Sequence, residues 1–253
     1  MLLHTHCTGS GEPIVLIHGL FGSYENLGVI ARSLAEDYHV INIDVRNHGQ
    51  SPHSEQMSYP LMAEDLLQTL EHLGLTKVSI LGHSMGGKLA MAFALANPER
   101  VHKLILADVA PVVYPARHQQ ILAALNSVPL DKIQSRSEAD KYLSKYISEL
   151  GVRQFLLKSL HNQDDNFNWR FNLATLVEQY ANIIGEPQQQ GVFTGDCLFI
   201  KGELSDYILP EHKEQILTHF PKAKVKIIQG TGHWLHAEKP AVFTRLVQDF
   251  LSA

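Results

Sequence analysis

Apolar residues occur along this chain in short, nearly continuous runs, each closed by a polar or glycine cluster. Pro13 to Ile17, Val40 to Ile43, Val78 to Leu81, Lys103 to Ala107, Cys197 to Lys201 and Val225 to Ile228 are such runs. Consecutive apolar positions in four- to seven-residue stretches are the pattern of strands buried on both faces, as in a parallel sheet. Between them lie stretches with helical spacing: Asn26 to Leu34, Pro60 to Leu73, Lys88 to Ala96, 210–220 and Pro240 to Leu251. Pro60 in a first turn and Gly74 just past an end mark one helix at both termini. Residues 1–12 leave room for at most one edge strand before Gly9-Ser10-Gly11.

Strand–helix alternation predicts an α/β fold, a mostly parallel sheet with helices on both faces. The alternation stops between Tyr114 and Gln190. There the spacing predicts helices near 115–126, 137–148, 151–160 and 172–183, and the polar run Gln188-Gln189-Gln190-Gly191 suits a return connection. The predicted organisation is a core of 1–113 and 191–253 with a helical cap over 114–190.

The polar clusters all fall on the C-terminal side of their strands, the edge at which open α/β sheets bind ligands. One of them, Gly82-His83-Ser84-Met85-Gly86, has the form G-x-S-x-G, in which a serine sits on a tight turn between strand and helix. Alone the pentapeptide is weak: about one chain in ten of this length would contain it by chance, given ordinary Gly and Ser usage. Five companion clusters at matching strand ends raise its weight. A serine hydroxyl needs a base to take its proton, and His233, in Gly230-Thr231-Gly232-His233-Trp234 after the last strand run, follows in the expected chain order. His18, His48, His83 and His236 read more simply as loop braces.

The acid that would orient His233 is open between two residues. Asp206 lies one position late for the Gly-x-x-Asp spacing, where Ser205 stands instead; Asp108 closes an earlier strand with no evident structural need. The residues alone leave both open, with Ser205 a candidate helper near His233. Backbone N–H groups of Met85 and of Leu20 are the candidate donors to an oxyanion, with Phe21 the fallback for Leu20.

Composition narrows the classes. The chain has 253 residues, 45% hydrophobic and 19% charged, and a net charge of −5, so it carries no basic excess to draw nucleic acid or anionic lipid. The fifteen histidines form no H-E-x-x-H pattern, and the two cysteines, Cys7 and Cys197, suggest no disulfide framework. No metal or cofactor is predicted. No apolar run approaches the ~18 residues of a membrane span and no leader pattern opens the chain, which predicts a cytoplasmic protein, monomer or homodimer.

With these clusters assembled, the sequence resembles the α/β-hydrolase superfamily, and within it the YbfF-type esterases and their abhydrolase-domain relatives. The resemblance runs over His18-Gly19-Leu20-Phe21-Gly22-Ser23, Asp44-x-Arg46-Asn47-His48-Gly49-x-Ser51, the Ser84 elbow, Asp108-Val109-Ala110-Pro111-Val112, Phe155 to Ser159, Trp169 to Asn172, and Gly232 to Pro240. It implies hydrolysis of small acyl esters and acyl thioesters, acyl-CoA among them, a helical cap inserted after the sixth core strand, and the triad acid at Asp108. A cap of this kind would roof the acyl pocket, with Phe21, Phe155, Trp169 and Lys88 as candidate substrate contacts. Arg46, Lys158 and Arg170 are further cations that an anionic head group would meet. Two other readings remain: C–C bond hydrolysis or cofactor-free perhydrolysis on the same scaffold, and a slow-turnover small-molecule sensor.

Overall fold

The computed structural model covers residues 1–253, and describes all but 164–165, 188–189 and the side chain of Gln163. Two residues of the predicted return run, Gln188 and Gln189, therefore lie outside the described residues.

The chain opens with β1 (Thr5–Thr8) and β2 (Glu12–Ile17), a 3-10 turn at Tyr24–Leu27 and α1 (Gly28–Leu34). It continues through β3 (Tyr38–Ile43), α2 (Tyr59–His72), β4 (Val78–His83), α3 (Met85–Ala96) and β5 (Val101–Ala107). The cap segment follows, with α4 (Gln119–Ser127), α5 (Arg136–Leu143), α6 (Leu150–Lys158), β6 (Leu160–Gln163), β7 (Asn166–Trp169), α7 (Leu173–Glu178) and α8 (Tyr180–Ile184). The core resumes with β8 (Asp196–Gly202), α9 (Lys213–His219), β9 (Ala223–Ile228), α10 (Leu235–Glu238) and α11 (Pro240–Ser252).

Seven strands form one sheet in the order β1-β3-β2-β4-β5-β8-β9. All neighbours run parallel except β1, which pairs antiparallel with β3 through Thr5–Ile43 to Thr8–Val40. Period-two alternation splits the apolar strand residues between two layers. Ile14, Leu16, Leu81, Ile105 and Ile200 pack with α1 and α11. Val15, Ile17, Ile80, Leu104 and Leu106 pack with α2, α3 and the cap. Both faces of the inner strands are thus dry, which is why those strands read as continuous apolar runs; the edge strand β9 departs from that expectation, with Val225 and Ile227 exposed.

Two expectations about the cap need correction. It follows the fifth strand along the chain, not the sixth, because the first twelve residues supply only the four-residue β1 before β2. Nor is it wholly helical: β6 and β7 form a two-stranded antiparallel hairpin, Leu160 opposite Trp169. In β7 Phe167 and Trp169 are buried while Asn166 and Asn168 are exposed. This is a strand's period of two, carried by only two apolar residues. Among the described residues no helix is long and apolar enough to cross a membrane.

Candidate active site

The site is built on strand ends. β4 leads into Ser84, which sits at φ 53°, ψ −119° before the first turn of α3. The turn is possible only because glycines flank it. A Cβ on Gly82 would lie 2.3 Å from the Gly86 carbonyl oxygen, and one on Gly86 would lie 2.4 Å from the Ile17 and His18 carbonyl oxygens. Asp108, directly after β5, also has positive φ (52°), as do Phe21 and Asn47 (both 63°). Non-glycine residues with left-handed backbone cost about 1–3 kcal/mol each and gather where the surrounding structure has reason to hold them. All four lie in loops that begin at the C-terminal ends of strands.

Three of the predicted site residues are brought together in a line. Ser84 Oγ lies 2.9 Å from His233 Nε2, and His233 Nδ1 lies 2.7 Å from Asp108 Oδ2. Donation from Nδ1–H to the carboxylate leaves the Nε2 lone pair facing the serine hydroxyl, the tautomer a general base requires. Asp108 is fully buried. Its Oδ2 also accepts from the Ser205 hydroxyl, and its Oδ1 accepts from the Gly202 N–H at 3.1 Å. Three donors thus converge on one dry carboxylate, the arrangement that satisfies a buried negative charge. Asp206 is elsewhere: its side chain is 67% exposed and pairs with Arg117 Nη1 at 2.5 Å. The one-residue delay after Gly202 turns Ser205 inward and Asp206 out.

The plane of His233 is set from both sides. The Tyr207 ring stacks on it at 3.8 Å between centroids and 16° between planes. His83 Nε2–H donates to the His233 carbonyl oxygen at 2.9 Å. His83 in turn packs on His236 at 4.3 Å. Burial, then the neighbouring His236 and His233, hold the His83 pKa well below the ordinary value; burial first also brings His236 down to about 3. Both rings are thus held neutral, and His83 serves as a hydrogen-bond donor to the backbone of His233.

The loop after β2 carries the second set of groups. Phe21 N–H donates to His48 Nε2 at 3.2 Å, so it is engaged. His48 is buried, with its pKa lowered to about 3 chiefly by burial, and its Nδ1–H reaches the Arg46 carbonyl oxygen at 3.0 Å. Val45 N–H likewise donates to His18 Nε2 at 3.2 Å. The Asp44 carboxylate accepts from Tyr24 N–H (2.7 Å) and Gln50 N–H (2.8 Å), and Gly49 lies against it so closely that a Cβ would stand 2.2 Å away. Among the described residues no protein acceptor faces the Leu20 N–H. Met85 is the first residue of α3, so its N–H has no acceptor within the helix. Met85 directly follows the serine and Leu20 lines the same space as Ser84.

Of the four candidate substrate contacts, Phe21 and Phe155 line a narrow cleft of about 40 Å³ with Ser84 and His233. Lys88 lines a second space of about 30 Å³ on the other side of Ser84. Trp169 lines neither; it is buried and stacks on Phe171 at 5.4 Å, behind the Phe21 ring. Lys88 points away from solvent and donates to the carbonyl oxygens of Val112 (2.8 Å), Ile184 (2.9 Å) and Gly185 (2.5 Å), joining the start of the cap segment to its end. Burial lowers its pKa to about 7 against the pull of Glu186. Arg46 is taken up by a buried ion pair with Asp65 (2.6 Å), and Arg170 by Glu25 (3.1 Å), so neither is free for a head group. Among the lining residues that escaped the reading of the sequence are Tyr207 and His118. The signal for Tyr207 was its place two residues after Ser205; His118 had none, being one histidine in an irregular stretch.

A strand-borne serine, an imidazole and a buried carboxylate at the C-terminal edge of a mostly parallel sheet are the marks of an α/β hydrolase. The model of the alpha/beta hydrolase fold family matches residues 12–128. Esterase YbfF of Escherichia coli (strain K12) is 42% identical over 244 residues, 96% of this chain and 94% of that protein. The sn-1-specific diacylglycerol lipase ABHD11 of Mus musculus is 40% identical over 94% of this chain and 80% of its own. The solved structure of a marine microorganism esterase superposes with a TM-score of 0.96 at 41% identity, covering 98% of this chain and 99% of that one. The chain belongs to the α/β hydrolase family, in the branch of carboxylic-ester hydrolases that contains these esterases and lipases.

Proposed function

We propose that the protein hydrolyses small acyl esters through an acyl-enzyme on Ser84, with His233 as base and acid and Asp108 as the residue that orients it. His233 takes the serine proton as Oγ attacks the ester carbonyl. The oxyanion that forms accepts from Leu20 N–H and Met85 N–H, the latter with the positive end of α3 behind it. The C–O bond to the alcohol then breaks, and His233 passes the proton to the departing oxygen. Water repeats the sequence, activated by His233, and releases the acid. Ser205 shares the Asp108 carboxylate and acts through it. Thioesters, including acyl-CoA, are chemically competent at the same site, because a thiolate leaves more readily than an alkoxide.

The single observation that carries this reading is the unbroken line from Ser84 Oγ through His233 to Asp108, 2.9 and 2.7 Å. Incubation with p-nitrophenyl butanoate should give a burst of one p-nitrophenol per chain and a butanoyl mass adduct on Ser84. Ser84→Ala should give neither. Turnover surviving in Ser84→Ala would remove Ser84 from the chemistry.

A further inference from the structure

Two spaces meet at Ser84, and they differ in what bounds them. They share only Leu20, Ser84 and His118. The first contains His233 and continues outward, since Asn26, Val152, Phe155, Trp234 and His236 also line an open groove of about 460 Å³ between α6 and α10. The second contains Met85 and is walled by Tyr59, Val109, Ile183 and the stem of Lys88, all buried. Pro115 and Arg117 complete its lining, and Asp206 holds Arg117 at 2.5 Å.

The walls of the second space are tied by polar bonds. Tyr59 OH donates to the Ile183 carbonyl oxygen at 2.6 Å. The Lys88 ammonium donates to three carbonyl oxygens, two of them at Ile184 and Gly185. Moving Ile183–Gly185 outward would strand a buried hydroxyl and a buried ammonium, so this wall resists displacement far more than an apolar contact would.

The reaction chemistry decides which side takes which half of an ester. His233 Nε2 must reach the departing oxygen to protonate it, and His233 lines only the first space. We infer that the Met85 side is an acyl pocket limited to a short chain, and that the His233 side, with the α6–α10 groove, is a leaving-group site open to a bulky alcohol. Water needs about 10–15 Å³ of such space, so 30 Å³ corresponds to about two water-sized groups beyond the carbonyl, an acyl chain of about two to four carbons. The inference rests on the Ser84–His233 ester hydrolysis proposed above.

The test uses two ester series on the full chain. With p-nitrophenol held constant, kcat/KM should fall by about tenfold or more from butanoate to octanoate, the scale on which a hydrophobic pocket discriminates chain length. With acetate held constant, phenyl and 2-naphthyl esters should differ by less than about threefold. Ile183→Ala should shrink the octanoate penalty to about threefold or less and leave the naphthyl-to-phenyl ratio alone. Phe155→Ala should do the reverse, shifting the naphthyl-to-phenyl ratio and not the octanoate penalty. If Ile183→Ala does not fold, Val109→Ala opens the same pocket from the core side. An octanoate penalty set by Phe155 and indifferent to Ile183 and Val109, or a wild type that cleaves octanoate as fast as butanoate, overturns the assignment. Wild type inert to every ester, or Ser84→Ala as active as wild type, would instead remove the hydrolysis on which it stands.

Discussion

The floor of the site and its roof are held by different means. The floor is the strand-end edge of the core, where Ser84, Asp108, Phe21 and Asn47 take left-handed backbone and each loop is pinned by buried side-chain bonds. The roof is the cap, which meets the core through Lys88 and Tyr59, through hydrogen bonds from Ser159 Oγ to the Phe21 carbonyl oxygen and from Asn172 N–H to the Asn47 carbonyl oxygen, and through the partly exposed ion pairs Arg117–Asp206 and Arg170–Glu25. The floor tolerates no displacement because reaction geometry is stored in it. The roof needs only to be closed in the right place. Catalytic damage should therefore follow from changes in the floor, and changes of stability or selectivity from changes in the roof.

The largest effect expected is that of Ser84→Ala, a loss of about 10⁶ in kcat with unchanged melting temperature, in line with removal of a triad nucleophile. Gly86→Ala sharpens the point from the backbone side. Its methyl would stand 2.4 Å from two carbonyl oxygens of the β2 end, so both circular dichroism melting and ester turnover should collapse together. In the roof, Lys88→Met leaves three carbonyl oxygens without their donor; a loss of about 3 kcal/mol in stability, read by urea melts, with faster proteolysis near 112 and 185, is expected.

Acid should act on the floor and the roof alike. His48 and His236 in the core are held at about 3 and His118 in the cap at about 4, in each case first by burial. Below the ordinary histidine value of 6.5 the unfolded chain binds more protons than the folded one, so stability rises with pH through the window from about 3–4 to 6.5 and is level above it. At pH 5 each fully buried ring withholds on the order of 2 kcal/mol relative to pH 7. His236→Gln should flatten the slope of melting temperature against pH between 4 and 6.5; an unaltered slope would exclude that ring from the acid response. The smallest effect is expected from Arg170→Gln, which removes a partly exposed pair and should cost no more than about 0.5 kcal/mol.

Much of the floor was legible in the sequence, because the core strands are apolar on both faces and their polar clusters interrupt that pattern abruptly. Ser84, His233, Leu20 and Met85 all stand in such clusters. The choice between Asp108 and Asp206 was not legible from spacing alone, since it turns on which side chain of the Gly202–Tyr207 loop points inward. The roof was poorly legible. The β6–β7 hairpin carries only Phe167 and Trp169 as apolar alternation, too few to distinguish a strand from a polar joint. Lys88 looked like a cation for substrate because helical position does not reveal which carbonyl oxygens a long side chain will find. Trp169, likewise, reads as a pocket aromatic until the ring beneath it, Phe171, is seen to intervene between it and Phe21.

The central claim is that His233 is oriented by the buried Asp108 and not by the exposed carboxylate of Asp206, one residue before the ring of Tyr207 that stacks on the histidine. Ester kcat of Asp108→Asn and Asp206→Asn, measured side by side at pH 7.5, tests it most directly. The predicted result is a fall of about 10⁴ for Asp108→Asn, as expected when an imidazole loses the acceptor that fixes its tautomer, and a change within about threefold for Asp206→Asn. The reverse pattern would contradict the account.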